Sequence, residues 1–231
     1  MSDLTPAADL VARQNASHPG ESAEYRAARN ALLAEEIELR RQMERVAAQR
    51  RALPPSHVVT ADYRFIGEGG ETDFAALFGE HDTLVVYNFM FGPERERPCP
   101  MCTAFLGPLA ANAADIRQRV ALAVVARAPI ERLIAFKRER GWRDLPVYTD
   151  KDAAFGRAYN AWTEAGDYPA YTVFTKRDGQ IRHFWGSEMG HATVDPGQDP
   201  RGSPEMTVLW NVLDTTPAGR DPDWYPKLAY A

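Results

Sequence analysis

The chain holds two cysteines, and both stand in Arg97-Pro98-Cys99-Pro100-Met101-Cys102-Thr103 with two residues between them. The stretch follows an apolar run and precedes a helical pattern. A Cys-x-x-Cys opening a helix has a use that other placements lack, because the unpaired N–H groups and positive dipole end of the helix stabilise a thiolate. On that reading Cys99 is the exposed, ionised sulfur. Pro100 suits the first helical position, where its missing N–H is harmless, and Cys102 lies one turn on, within reach of a disulfide. Arg95 and Arg97 bring positive charge to the approach, which Glu94 and Glu96 largely cancel.

Three readings of the pair compete. Dithiol–disulfide exchange leads, structural thiols on an inert scaffold come second, and metal binding third. The metal reading borrows His183 and His191 to complete a tetrahedral zinc site, but neither a close His-x-His nor a second Cys-x-x-Cys supports it. For His183 alone, a strand histidine bonded to a neighbouring side chain is favoured. Two cysteines exclude a four-cysteine iron–sulfur cluster within the chain. No metal ligand is assigned, and no cofactor is expected.

Around this pair, 231 residues, 45% apolar and 26% charged, suffice for one well-buried core with an appendage. A formal net charge of -5 offers no basic patch for nucleic acid, and no apolar run approaches the length of a membrane span. The expected partner is a protein or a small-molecule disulfide, with neither nucleic acid nor membrane. The start, Met1-Ser2-Asp3-Leu4-Thr5-Pro6, lacks a basic segment followed by an apolar one, so a cytoplasmic setting is expected. In that reducing compartment a lone pair of cysteines favours chemistry over a permanent staple.

Residues 1–20 show no periodicity and read as a loosely ordered tail. A long helical arm over 21–53 carries Tyr25, Leu32, Leu39, Val46 and Leu53 at seven-residue spacing and ends before Pro54-Pro55. A second seam containing Glu35 and Gln42 favours packing within its own chain, with a homodimer through this helix as the sharper alternative. A domain over 54–214 follows, then a surface segment over 215–231.

Within that domain, 58–65 reads as a strand, 67–70 as a turn and 74–79 as a short helical turn. Thr83 to Met90 is apolar on both faces and should lie centrally in a sheet, delivering the cysteines to its carboxyl end. Phe105, Leu106, Leu109, Ala113 and Ile116 trace a helical face, with a kink expected at Gly107-Pro108. Val120 to Ala126 is a second buried strand, Pro129 opens a helix, and Leu145 to Thr149 is a short strand; strand, helix, strand, helix is the signature of a parallel sheet. Residues 170–175 and 180–185, joined at Arg177-Asp178-Gly179, make an antiparallel hairpin. The breaker-rich 186–204 reads as a lid, a partner-binding edge or a packed surface excursion, and 205–213 as a closing helix.

A hairpin following Pro169, set against a βαβ unit whose helix opens with Cys-Pro-x-Cys, resembles the thioredoxin fold. More closely, Tyr87-Asn88-Phe89-Met90-Phe91-Gly92-Pro93, Cys99 to Cys102, Val125 to Pro129, Gly141-Trp142, His183 to Gly186 and Leu213 to Pro217 resemble the bacterial thioredoxin-like family DUF899. The resemblance runs from about Tyr25 to Arg220. It implies an α/β fold: a thioredoxin-like central mixed sheet flanked by helices, with a long N-terminal helical arm. It also implies a dithiol site, although the family carries no assigned reaction.

By thioredoxin logic, Cys99 attacks and Cys102 resolves. Pro169 matches that fold's cis-proline facing the cysteines, and Pro100 and Met101 line the substrate groove beside it. The usual Trp-Cys start is replaced here by Pro98-Cys99, and Gly-Pro by Pro-Met. No buried acid assisting the resolving cysteine can be assigned. A peroxiredoxin mechanism needs a hydroxyl three residues before the attacking cysteine, where this chain has Glu96, and is disfavoured. The functional expectation is a thiol-disulfide oxidoreductase; its alternative is a non-catalytic thioredoxin-fold binding or scaffold protein.

Overall fold

The computed structural model describes residues 4–14, 16–187, 195, 206–219 and 223–230. The chain divides into two compact units, 1–54 and 55–231.

The first unit is two helices. Ser22 opens α2 (Ala23–Arg51), its Oγ accepting the Tyr25 N–H at 3.1 Å, and Arg50 and Arg51 sit where the dipole favours cations. Against it packs α1 (Ala7–Arg13), burying Val11 and Ile37; Gln14 Nε2 donates to Asn30 Oδ1 at 3.3 Å. The sequence reading assigned no element there, because one seven-residue helix is too short to display a period.

The second unit is built on a seven-stranded mixed sheet in the order β2-β1-β5-β4-β3-β8-β9. Its middle, β3 (Thr83–Asn88), β4 (Ala121–Ala126) and β5 (Val147–Asp150), is parallel. Antiparallel strands flank it: β1 (Arg64–Gly67) and β2 (Gly70–Asp73) on one side, β8 (Ala170–Arg177) and β9 (Gln180–Gly186) on the other. A strand, a Cys-bearing helix, a parallel neighbour, then an antiparallel hairpin on the opposite side of the first strand is the thioredoxin-like arrangement. The expected strand at 58–65 is displaced: pairing begins at Arg64, and Val58 makes only an isolated bridge to Arg182.

Alternation along the central strands fills both faces. Val85 and Tyr87 of β3, with Leu122 and Val124 of β4, meet Phe105 and Leu106 of α3 (Pro100–Ala111) and Leu133 and Phe136 of α5 (Ile130–Glu139). Leu84 and Val86, with Ala123 and Val125, face the other way onto Phe65, Phe74, Phe78, Phe155 of α6 (Ala154–Ala158) and Phe174. Pro108 lies inside α3, which continues to Ala111; the break comes at Asn112, before the single turn α4 (Ala113–Ile116). The closing helix is α7 (Val208–Leu213), with Trp210 buried. Of the 186–204 loop only Gly186, Ser187 and Asp195 are described, so its proposed role lies outside the described residues.

Candidate active site

Leaving β3, the chain is tied down before it reaches the cysteines. Phe89 N–H donates to Val125 O at 2.8 Å, Ala128 N–H to Phe91 O at 2.8 Å, and Cys99 N–H to Met90 O at 3.1 Å. The last bond folds the loop back so that Cys99 sits at the carboxyl end of β3. There Cys99 is the N-cap of α3, extended at φ -61 and ψ 124, with Pro100 as the first helical residue. The Cys99 carbonyl accepts from both the N–H and the hydroxyl of Thr103, each at 3.0 Å, which fixes the first turn.

Both cysteines are free thiols, Cys99 half-buried and Cys102 buried. Burial pushes the Cys102 thiol well above its ordinary range, and a hydrogen bond and charge interaction with Cys99 push the same way. The Tyr87 hydroxyl and the Met90 backbone act in the opposite sense on the Cys102 sulfur, favouring its ionised form. Tyr87 is fully buried and stacked on Phe105 at 4.7 Å, so its ring is held under the first turns of α3. The polar side chain acting on the buried Cys102 sulfur is therefore a phenol.

The difference in access has a direct readout. In native, reduced protein iodoacetamide is expected to modify Cys99 and spare Cys102, and in urea to modify both, as read by peptide mass spectrometry. Equal native labelling of the two would contradict this geometry.

Arginines clamp the approach loop. From α5, Arg132 donates to the carbonyls of Pro93 at 3.3 Å, Glu96 at 3.0 Å and Arg95, with its guanidinium 4.7 Å from the centre of the Phe91 ring. Arg127, just beyond β4, donates from Nε to Asp167 Oδ1 and from Nη2 to Glu94 Oε2, both at 2.8 Å, and lies 4.5 Å from the Trp162 ring centre. Arg97 pairs with Glu139. Gly92 sits under this junction: a Cβ there would come 2.4 Å from Asp167 Oδ2 and 2.9 Å from Arg127 Nη2. The sequence reading missed Arg127 and Arg132. The available signal was a charged residue directly after a fully buried strand, with another arginine in the first turn of the helix that follows.

Pro169 comes to the same end of the sheet, since Ala170 pairs with Asn88 at the end of β3. Its peptide bond is trans, correcting the expected cis bond. The chain reversal is made earlier, by the small hairpin of β6 (Trp162–Thr163) and β7 (Gly166–Asp167), and Tyr168 N–H is held by Ala161 O at 2.9 Å. With the entry direction set, Pro169 keeps the ordinary trans isomer. Pro100 and Met101 are half-buried.

His183 is not brought to the cysteines. It stacks on Tyr159 and meets Phe174 edge-on, on the opposite face of the sheet, while His191 lies outside the described residues. Among the described residues no group of three or more His, Cys, Asp or Glu is placed to hold a metal.

No curated protein matches the chain. Among solved structures it is similar to peroxiredoxin Q of Xanthomonas campestris, at 18% identity over 57% of this chain and 84% of that one, with a TM-score of 0.44. A hypothetical protein of Sinorhizobium meliloti 1021 is similar at 20% identity over 73% of this chain and 89% of that one, TM-score 0.42. A secreted Mycobacterium tuberculosis disulfide oxidoreductase is similar at 20% identity over 52% and 80%, TM-score 0.36. A family described as bacterial protein of unknown function matches residues 15–230, nearly the whole of the chain and both of its units, and the chain therefore belongs to that family, DUF899.

Proposed function

We propose that the protein is a thiol-disulfide oxidoreductase working through Cys99 and Cys102. The observation that carries this reading is the unequal pair: a half-buried thiol on the N-cap residue of α3, beside a buried one whose burial favours its protonated form. Cys99, as thiolate, attacks one sulfur of a substrate disulfide and forms a Cys99 mixed disulfide, releasing the other substrate sulfur as a thiolate. Cys102 gives up its proton and attacks Cys99 Sγ, closing the Cys99–Cys102 disulfide and expelling the second substrate thiolate. The substrate has gained two electrons and the pair has lost them; a dithiol reductant resets it. Tyr87 stands where it would stabilise the Cys102 sulfur as that proton leaves.

Pro169, Pro100 and Met101 would form the groove that receives the substrate, a protein or small-molecule disulfide. The reading takes a cytoplasmic setting, where such a pair is kept turning over. No helix among the described residues is long and apolar enough to cross a membrane.

Equilibration with mixtures of reduced and oxidised glutathione tests the reading. An intramolecular Cys99–Cys102 disulfide with a single midpoint, followed by mass, is the expected result. Two thiols that stay free, or only ever carry glutathione, would sink it.

A further inference from the structure

The two-helix unit carries a surface that the dithiol chemistry does not use. Tyr25, Leu32, Leu39, Met43 and Leu53 are between 43% and 61% exposed, although Tyr25, Leu32, Leu39 and Leu53 recur with Val46 on a strict seven-residue period. α1 covers a different face of α2, the one carrying Ile37. A period of seven matches the winding of one helix around another, so a stripe with this repeat suits a second helix of comparable length.

Charge along α2 indicates which helix and in which direction. Residues 23–38 hold four acids and two arginines; residues 39–51 hold five arginines and one acid, so the halves carry -2 and +4. The helix dipole accounts for such segregation only in the first and last turns, whereas Glu35, Glu36, Arg40 and Arg45 lie mid-helix. Two copies side by side in parallel set like halves together. Turned antiparallel about Leu39, the acidic half of each lies along the basic half of the other.

We infer that α2 is the interface of a homodimer, an antiparallel helix pair with Leu39 at its twofold centre. In this register Leu32 meets Val46 of the second copy, and Tyr25 near the start of the helix faces Leu53, two residues past its end at Arg51. Glu38 comes level with Arg40 of the second copy, and with a rise of about 1.5 Å per residue Glu36 and Glu35 lie diagonally, about 3 Å along the axis, from its Arg40 and Arg45. The apolar stripe supplies the association, and the segregated charge selects the antiparallel direction.

The full chain, with Cys99→Ser and Cys102→Ser to remove the native thiols, is given Tyr25→Cys and Leu53→Cys, then oxidised and mapped by mass spectrometry. Intermolecular 25–53 links are expected; 25–25 and 53–53 links would overturn the direction. Sedimentation of the otherwise unaltered chain should show a dimer, weakened roughly 100-fold or more by Leu32→Glu with Leu39→Glu. To separate loss of the interface from disturbance of the helix, Arg40→Glu with Arg45→Glu is run beside it. This charge reversal should weaken the dimer, and adding Glu35→Arg with Glu36→Arg should restore it. A monomeric chain, or a dimer indifferent to every one of these changes, overturns the inference.

Discussion

Cys99→Ser is expected to abolish disulfide exchange, lowering the rate by roughly 10^4-fold or more, because a serine hydroxyl stays protonated where a thiol ionises. Cys102→Ser behaves differently. Attack by Cys99 survives, but the mixed disulfide is no longer resolved within the chain, so turnover stalls with substrate covalently held at Cys99. Release of substrate thiol measures the first effect, and intact-protein mass the second. The two variants should fold alike, since each only exchanges one sulfur for a smaller oxygen. A Cys99→Ser protein with an undiminished rate would leave the scaffold reading in possession of the fold.

Arg127→Met is expected to destabilise the protein by about 3 kcal/mol, a fall in Tm of about 10 °C. Its partner Asp167 has a side chain only 8% exposed, and Arg127 itself is 15% exposed, so deleting the guanidinium strands a carboxylate with little water around it. Methionine retains much of the stem that lies against Trp162. Adding Asp167→Asn should return part of the loss, because the stranded charge then disappears; urea unfolding of the four members of this cycle measures the coupling. Strictly additive losses below about 1 kcal/mol would mean that the pair is a surface contact. Asp167 lies in the small hairpin before Pro169 and Glu94 in the loop before Cys99, so one arginine ties the two walls of the candidate site.

These two sites also mark what can and cannot be read from the residues alone. β3 and β4 are legible because they are apolar on both faces, and α3 because a Cys-Pro start on an apolar helix has few other meanings. The partners of the arginine clamps cannot be read from the sequence, because Arg127 reaches 33 residues back to Glu94 and 40 forward to Asp167. The hairpin at 162–167 has two residues per strand, too few to show alternation, and it is this hairpin that removes the need for a cis bond at Pro169. At Pro108 the helix does not end: the apolar face of α3 is packed on both sides of it, and α3 runs on to Ala111. The full burial of Cys102 is not legible in the motif, because it depends on α3 lying over β3.

The burial of Cys102 carries a kinetic consequence. Once the Cys99–Cys102 bond has formed, only one of its two sulfurs can be approached by another molecule, and that sulfur is Cys99. An incoming thiol that reopens the bond must therefore join to Cys99 and expel Cys102 inward, which is the oxidation step run backwards through the same covalent intermediate. On the proposed function, substrate and reductant would meet at that one sulfur and exclude each other there, and the direction of electron flow would be set by which partner is more abundant and more reducing.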